Sequence, residues 1–150
     1  MIRRFTSVDE VRHALGEQFG PTEPLTISQE RIDAFADVTG DDQWIHVDAA
    51  RAAQSPYGAT IAHGFLTLSL IGYFARQLYR LDFGDTRINY GLDRVRFPSA
   101  VPVGSLLEAR STFKDVEKSA AGTRITIHYE LQAQGAARPA CVADFLVLVA

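Results

Sequence analysis

A chain of 150 residues, 47% apolar and 22% charged, has the length and composition of one globular domain with a real core. Its net charge of −3 is the opposite of the basic footprint of a nucleic-acid binder. The single cysteine, Cys141, excludes an internal disulfide and a multi-cysteine metal site, and its apolar setting suits a buried, inert thiol in a reducing, cytoplasmic compartment.

The N-terminal residues mix acids with bases and hold no apolar run, so they do not read as a secretory signal or transit peptide. Ser7-x-x-Glu10 is a capping box opening a helix that runs towards Gly20, with Val8, Val11, Leu15 and Phe19 near helical spacing. Pro21 and Pro24 break the chain, and Leu25 to Ile27 suit a short strand. Ser28 is placed to cap a second helix over QERIDAFADVT, with an apolar stripe of Ile32, Phe35, Ala36 and Val38 and with Gly40 to end it. Asp48 can cap a short helix over AARAA, and SPYGA reads as a turn.

Residues 63–81, HGFLTLSLIGYFARQLYRL, are apolar nearly all round as far as Phe74, the pattern of a helix enclosed by other structure. No membrane span is expected: Pro56, Gly58 and Gly64 interrupt the uncharged stretch, and its continuous apolar part is too short for a bilayer core of about 30 Å. The remainder reads as strand: TRINYGLDRVRF, SLLEARSTFKDVEK, TRITIHYELQA and ACVADFLVLVA. In the third, Ile125, Ile127, Tyr129 and Leu131 share one face, and Thr126, His128 and Glu130 the other. Short connections favour an antiparallel meander. The expected class is α+β, a strongly curved antiparallel sheet wrapped around the long apolar helix, in one domain over residues 1–150. A symmetric dimer would bury the sheet's free edge.

TGDDQWIHVD, residues 39–48, concentrates reactive groups. Asp41 and His46 stand five apart, roughly 140° around a helix and on opposite faces of a strand. They converge only if residues 40 to 46 are irregular, and Gly40 with two aspartates is loop chemistry. The stretch is therefore either a site or a polar turn. Metal binding is the weaker chemistry, because the stretch has no second histidine or cysteine at ligand spacing and His63 is the only distant recruit. His63 otherwise reads as a local capping or packing residue. Gly64, at the head of the enclosed helix, either offers its N–H to a carbonyl oxygen or merely eases packing.

TGDDQWIHVD, followed by SPYGATIAHGFLTLSLI and later NYGLDRVRFPSAVPVG, resembles the MaoC-like (R)-specific enoyl-CoA hydratases over almost the whole chain, most closely the branch related to nodulation protein N. The resemblance implies a hotdog fold, usually dimeric. It also implies reversible syn hydration of a trans-2-enoyl-CoA to an (R)-3-hydroxyacyl-CoA, with no metal or redox cofactor. By position it assigns catalysis to Asp41 and His46 and the backbone donor to the thioester carbonyl to Gly64. Where the family has Asn-Pro, this chain has Gln43-Trp44. Gln43 keeps an amide for a supporting hydrogen bond, whereas Trp44 reshapes the loop and bears on acyl-chain preference. A serine that some relatives carry in the enclosed helix falls near Gly72, with Ser69 a turn earlier. Arg51, Arg87, Arg94 and Arg96 are candidates for the CoA phosphates, the last two on one strand face by their spacing. The rival readings are a thioesterase on the same fold and a catalytically silent acyl-CoA binding subunit.

Overall fold

In the computed structural model, which describes residues 1–150, the chain opens with a short strand, β1 (Arg3–Phe5), and a helix, α1 (Val8–His13). The cap forms with a shifted return bond: Ser7 Oγ accepts from the Glu10 N–H, while the Glu10 carboxylate reaches past Ser7 to accept from the Thr6 N–H at 2.6 Å. The helix stops well short of Gly20. Gly16 turns the chain at φ 85°, and β2 (Gln18–Phe19) pairs with Ser111 and Thr112. That pairing delivers Phe19 to an aromatic cluster with Phe5, Tyr79 and Phe113, which a continuing helix would not do.

After β3 (Leu25–Thr26), helix α2 (Gln29–Thr39) begins and ends as its residues dictate. Ser28 Oγ accepts from the Arg31 N–H at 3.2 Å, and Gly40 closes the helix at φ 74°. Ile32 and Ala36 are buried, but Val38 is 80% exposed and lies off the stripe. A single turn, α3 (Trp44–Val47), and α4 (Ala49–Ala53) follow, the latter capped by Asp48, whose carboxylate accepts from the Arg51 N–H at 3.0 Å.

The apolar segment forms two helical pieces, α5 (Gly64–Ser69) and α6 (Ile71–Leu78), joined through Leu70 at φ −71° and ψ −8°. Leu66, Leu70, Ile71, Phe74 and Leu78 enter the core. The opposite side bares Tyr73 and Phe65, the latter 67% exposed, so this chain encloses the helix on one side only. The helix also ends before residue 81. Tyr79–Leu81 is strand β4, parallel to β1, with Tyr79 and Leu81 inward and Arg80 outward.

The four long strands are β5 (Arg87–Arg96), β6 (Leu106–Ser119), β7 (Gly122–Ala133) and β8 (Cys141–Val149). Their sheet runs β2-β6-β7-β8-β5, every pair antiparallel, with β3 also on β6. The last three strands make the expected meander, while β5 lies outside them, at the edge beside β8. On β7, Ile125, Ile127, Tyr129 and Leu131 are buried, as the alternation requires. The hydroxyls of Tyr79 and Tyr129 bond to each other inside the core, and burial pushes both phenols up. Arg87 is exposed but already engaged: its guanidinium donates to the carbonyls of Leu81, Phe83 and Gly84 and closes the turn before β5. Arg94 takes φ 53° and the β5–β8 register shifts between Asp93 and Arg96, so Arg94 and Arg96 do not follow a regular alternation.

Candidate active site

The end of α2 sets the position of Asp41. Thr39 Oγ1 donates to the Phe35 carbonyl at 2.6 Å and accepts from the Asp41 N–H at 3.3 Å, just after Gly40 has turned the chain. The expected irregular stretch over residues 40–46 is found only at 40–43: Trp44–Val47 is the helical turn α3, and Asp41 and His46 converge with His46 on that turn. The Gln43 carbonyl accepts from the His46 N–H at 3.0 Å. Gln43 thus supports the site through its backbone, and its side chain does not cap the turn.

His46 is 7% exposed, and its Nδ1 lies 2.7 Å from the Ile61 carbonyl oxygen. A carbonyl only accepts, so Nδ1 carries a proton, and in the neutral ring Nε2 is the nitrogen with the lone pair. Gln29 holds this arrangement from α2: its amide donates to the His46 carbonyl at 2.7 Å, and its oxygen accepts from Thr60 Oγ1. Sequence reading missed Gln29, because only the fold brings α2 beside residues 60–61.

His63 is also part of the site. It is 2% exposed and does not cap α5. Its ring stacks on that of His46 at 3.8 Å between centroids and 22° between planes, with Phe35 at 4.9 Å. Its Nε2 donates to the Asp41 backbone carbonyl at 2.8 Å, while its Nδ1 is buried without a protein partner. One carboxylate oxygen of Asp41 and one ring nitrogen each of His46 and His63 lie within 4.8 Å of one another. These are cation-binding groups, but near-parallel rings send their in-plane lone pairs side by side and not towards one point, which is poor geometry for a shared ion. Two acid–base groups converging on one small volume suit proton transfer to and from a reactant.

Gly64 is the first residue of α5, where an N–H has no partner within the helix. One residue on, Phe65 begins the lining of a cavity of about 540 Å³ between the helix and strands β5 and β8, with Leu68, Gly72, Ala75, Leu92 and Phe145. Ser69 also borders this cavity, its hydroxyl donating to the Leu66 carbonyl. Arg51 is placed over the face of Trp44, 4.2 Å from the ring centroid.

Residues 10–134 match the family model described as MaoC like domain. The chain is 47% identical over 147 residues to 3-hydroxyacyl-thioester dehydratase Z of Mycobacterium tuberculosis, covering 97% of each protein. It is 38% identical over 146 residues to nodulation protein N of Rhizobium leguminosarum bv. viciae, covering 95% of this chain and 91% of that one. In structure it is similar to R-hydratase PhaJ1 from Pseudomonas aeruginosa, with a TM-score of 0.72, 24% identity, and coverage of 90% of this chain and 81% of the other.

Proposed function

The chain belongs to the MaoC-like dehydratase family, on the hotdog fold, and on that premise we propose that it is an (R)-specific enoyl-CoA hydratase, a hydro-lyase interconverting trans-2-enoyl-CoA and (R)-3-hydroxyacyl-CoA. The observation that carries this reading is the convergence of the Asp41 carboxylate and the His46 imidazole within 4.8 Å. The family relationship supplies the chemistry, and the 47% identity to a 3-hydroxyacyl-thioester dehydratase supports the thioester.

In this reading Asp41 and His46 Nε2 hold one water. As its oxygen bonds to C3, one proton leaves it for the pair, and the pair delivers one proton to C2 on the same face of the double bond. The pair then stands in the protonation state in which it began, and the reverse sequence dehydrates. Each such transfer contributes about 10²–10⁴-fold. Negative charge gathering on the thioester oxygen meets the Gly64 N–H. In this reading the apolar cavity that begins at Phe65, next to Gly64 but lined by neither Asp41 nor His46, takes the acyl chain. No metal or redox cofactor enters these steps.

The functional unit is a homodimer joined through β5. That strand is an edge with only β8 beside it, and it bares Ile88, Leu92 and Tyr90, the last 59% exposed. Asp41 is exposed in the chain alone, so a second copy or the substrate must supply the desolvation that acid–base work calls for. None of the helices is long and apolar enough to cross a membrane. The free Cys141 thiol is buried and pushed up to about 11 by burial, which suits an inert thiol in a reducing, cytoplasmic compartment, and the family relationship suits a place in fatty-acyl metabolism.

Incubation with crotonyl-CoA tests the proposal. Loss of the conjugated double bond's absorbance without release of thiol is the expected result. Release of free CoA thiol would make the protein a thioesterase, and tight binding with neither change would make it a silent acyl-CoA binder.

A further inference from the structure

We infer that His63 is a positioning residue for the Asp41–His46 pair, an inference that rests on the hydratase reading. Three separate parts of the site meet at this one residue, two of them through its side chain. Its Nε2–H fixes the backbone of Asp41 at 2.8 Å, its ring lies against the His46 ring at 3.8 Å, and its own peptide leads directly into Gly64. The contact to Asp41 crosses 22 residues of sequence, so it is the bond that ties the loop after α2 to the head of α5.

For neutral imidazoles, the carbonyl partners also select opposite tautomers for the two stacked rings. His46 is protonated at Nδ1, against Ile61, and His63 at Nε2, against Asp41. With His63 in this state, the Asp41 carboxylate and the His46 lone pair are held in register before substrate arrives. Misplacement of reacting groups by about 1 Å can cost about 100-fold in rate.

Two substitutions separate the donor from the ring. His63→Gln keeps an N–H at comparable reach and removes the stack; His63→Phe keeps a ring and removes the donor. With crotonyl-CoA, His63→Phe is expected to lower kcat about 100-fold while KM stays within about threefold, and His63→Gln to recover at least tenfold of that loss. Wild-type kcat in His63→Phe, or equal losses in the two variants, overturns the inference. Because His63 is buried and a variant can fail to fold, 15N NMR of the unmodified protein gives a second arm. The imidazole shifts are expected to report Nδ1–H for His46 and Nε2–H for His63, and any other pairing overturns the inference. If the wild-type protein does not hydrate crotonyl-CoA at all, the hydratase reading falls, and the tautomers alone decide the placement of His63.

Discussion

A Cβ added to Gly64 would stand 3.1 Å from three ring carbons of Phe97, inside ordinary van der Waals contact. The head of α5 is therefore packed against an aromatic ring just where a backbone donor is proposed. Gly64→Ala must displace either the Phe97 ring or its own peptide. The expected result is a folded protein with kcat lowered about tenfold or more, part of the 10²–10³ that loss of an oxyanion donor costs. Combining it with Phe97→Leu makes room and is expected to restore part of the rate. If the double variant is no better than Gly64→Ala, the methyl acts at the ligand and not through Phe97.

His46→Gln and Asp41→Asn are each expected to lower crotonyl-CoA hydration by about 10²–10⁴-fold. Asp41 is exposed and makes no side-chain ion pair within 4 Å, so its variant should melt close to the wild type. His46→Gln is expected to lose some stability, because the Ile61 carbonyl loses its buried donor. Full activity in either variant, measured with the fold verified by circular dichroism, removes that residue from the mechanism.

Trp44 occupies the first position of α3, where a peptide N–H has no helical partner and where proline is favoured. The Asn-Pro that the resemblance puts at Gln43-Trp44 would suit such a turn. Trp44→Pro removes a cation–π contact with Arg51 worth about 0.5–1 kcal/mol and stiffens the unfolded chain by a similar amount. A Tm within about 4 °C of the wild type is expected. A much larger drop would show that the Trp44 ring itself holds the loop.

Burial raises the Cys141 thiol from 9.0 to about 11 and raises the phenols of Tyr79 and Tyr129. These groups bind their protons more tightly folded than unfolded, so their contribution is complete below the unfolded values and is lost as pH rises. Urea melts between pH 7 and about 11 should show stability falling from about pH 9, and more steeply once unfolded tyrosines ionise near 10. Cys141→Ala should flatten the first part and the double change Tyr79→Phe, Tyr129→Phe the second. A profile that stays level to pH 11 would contradict this account.

Light scattering should find the protein at twice its 16.5 kDa chain mass. Tyr90→Arg places a charge in the middle of the bare edge strand, and the expected product is a monomer with reduced hydration. A variant that stays dimeric would move the interface away from β5.

Local rules carried the sequence reading where a few neighbouring residues decide the outcome. Ser28 and Gly40 bound α2, Asp48 caps α4, and the alternation on β7 buries Ile125 to Leu131 on one face. The Asp41–His46 spacing calls for an irregular stretch over residues 40–46, and the structure meets this only in part: residues 40–43 are irregular, but His46 rides on the helical turn Trp44–Val47. The long-range choices lay outside those rules. Tyr79 leaves the helix because β1 stands ready as a parallel partner, and Phe19 becomes a strand residue because an aromatic cluster awaits it. His63 looks like a local residue in the sequence because the carbonyl it binds belongs to Asp41 and the ring it covers belongs to His46.

The sequence by itself determined the class of fold, because caps and periodicity act within a few residues, and its resemblance to known hydratases pointed to the family and to Asp41 and His46 as candidates. Only the tertiary structure decided where the central helix stops, which strand forms the free edge, and that His63 and Gln29 hold the site together. Those outcomes depend on contacts between segments far apart in the chain, and such contacts exist only once the sheet has closed over the helix.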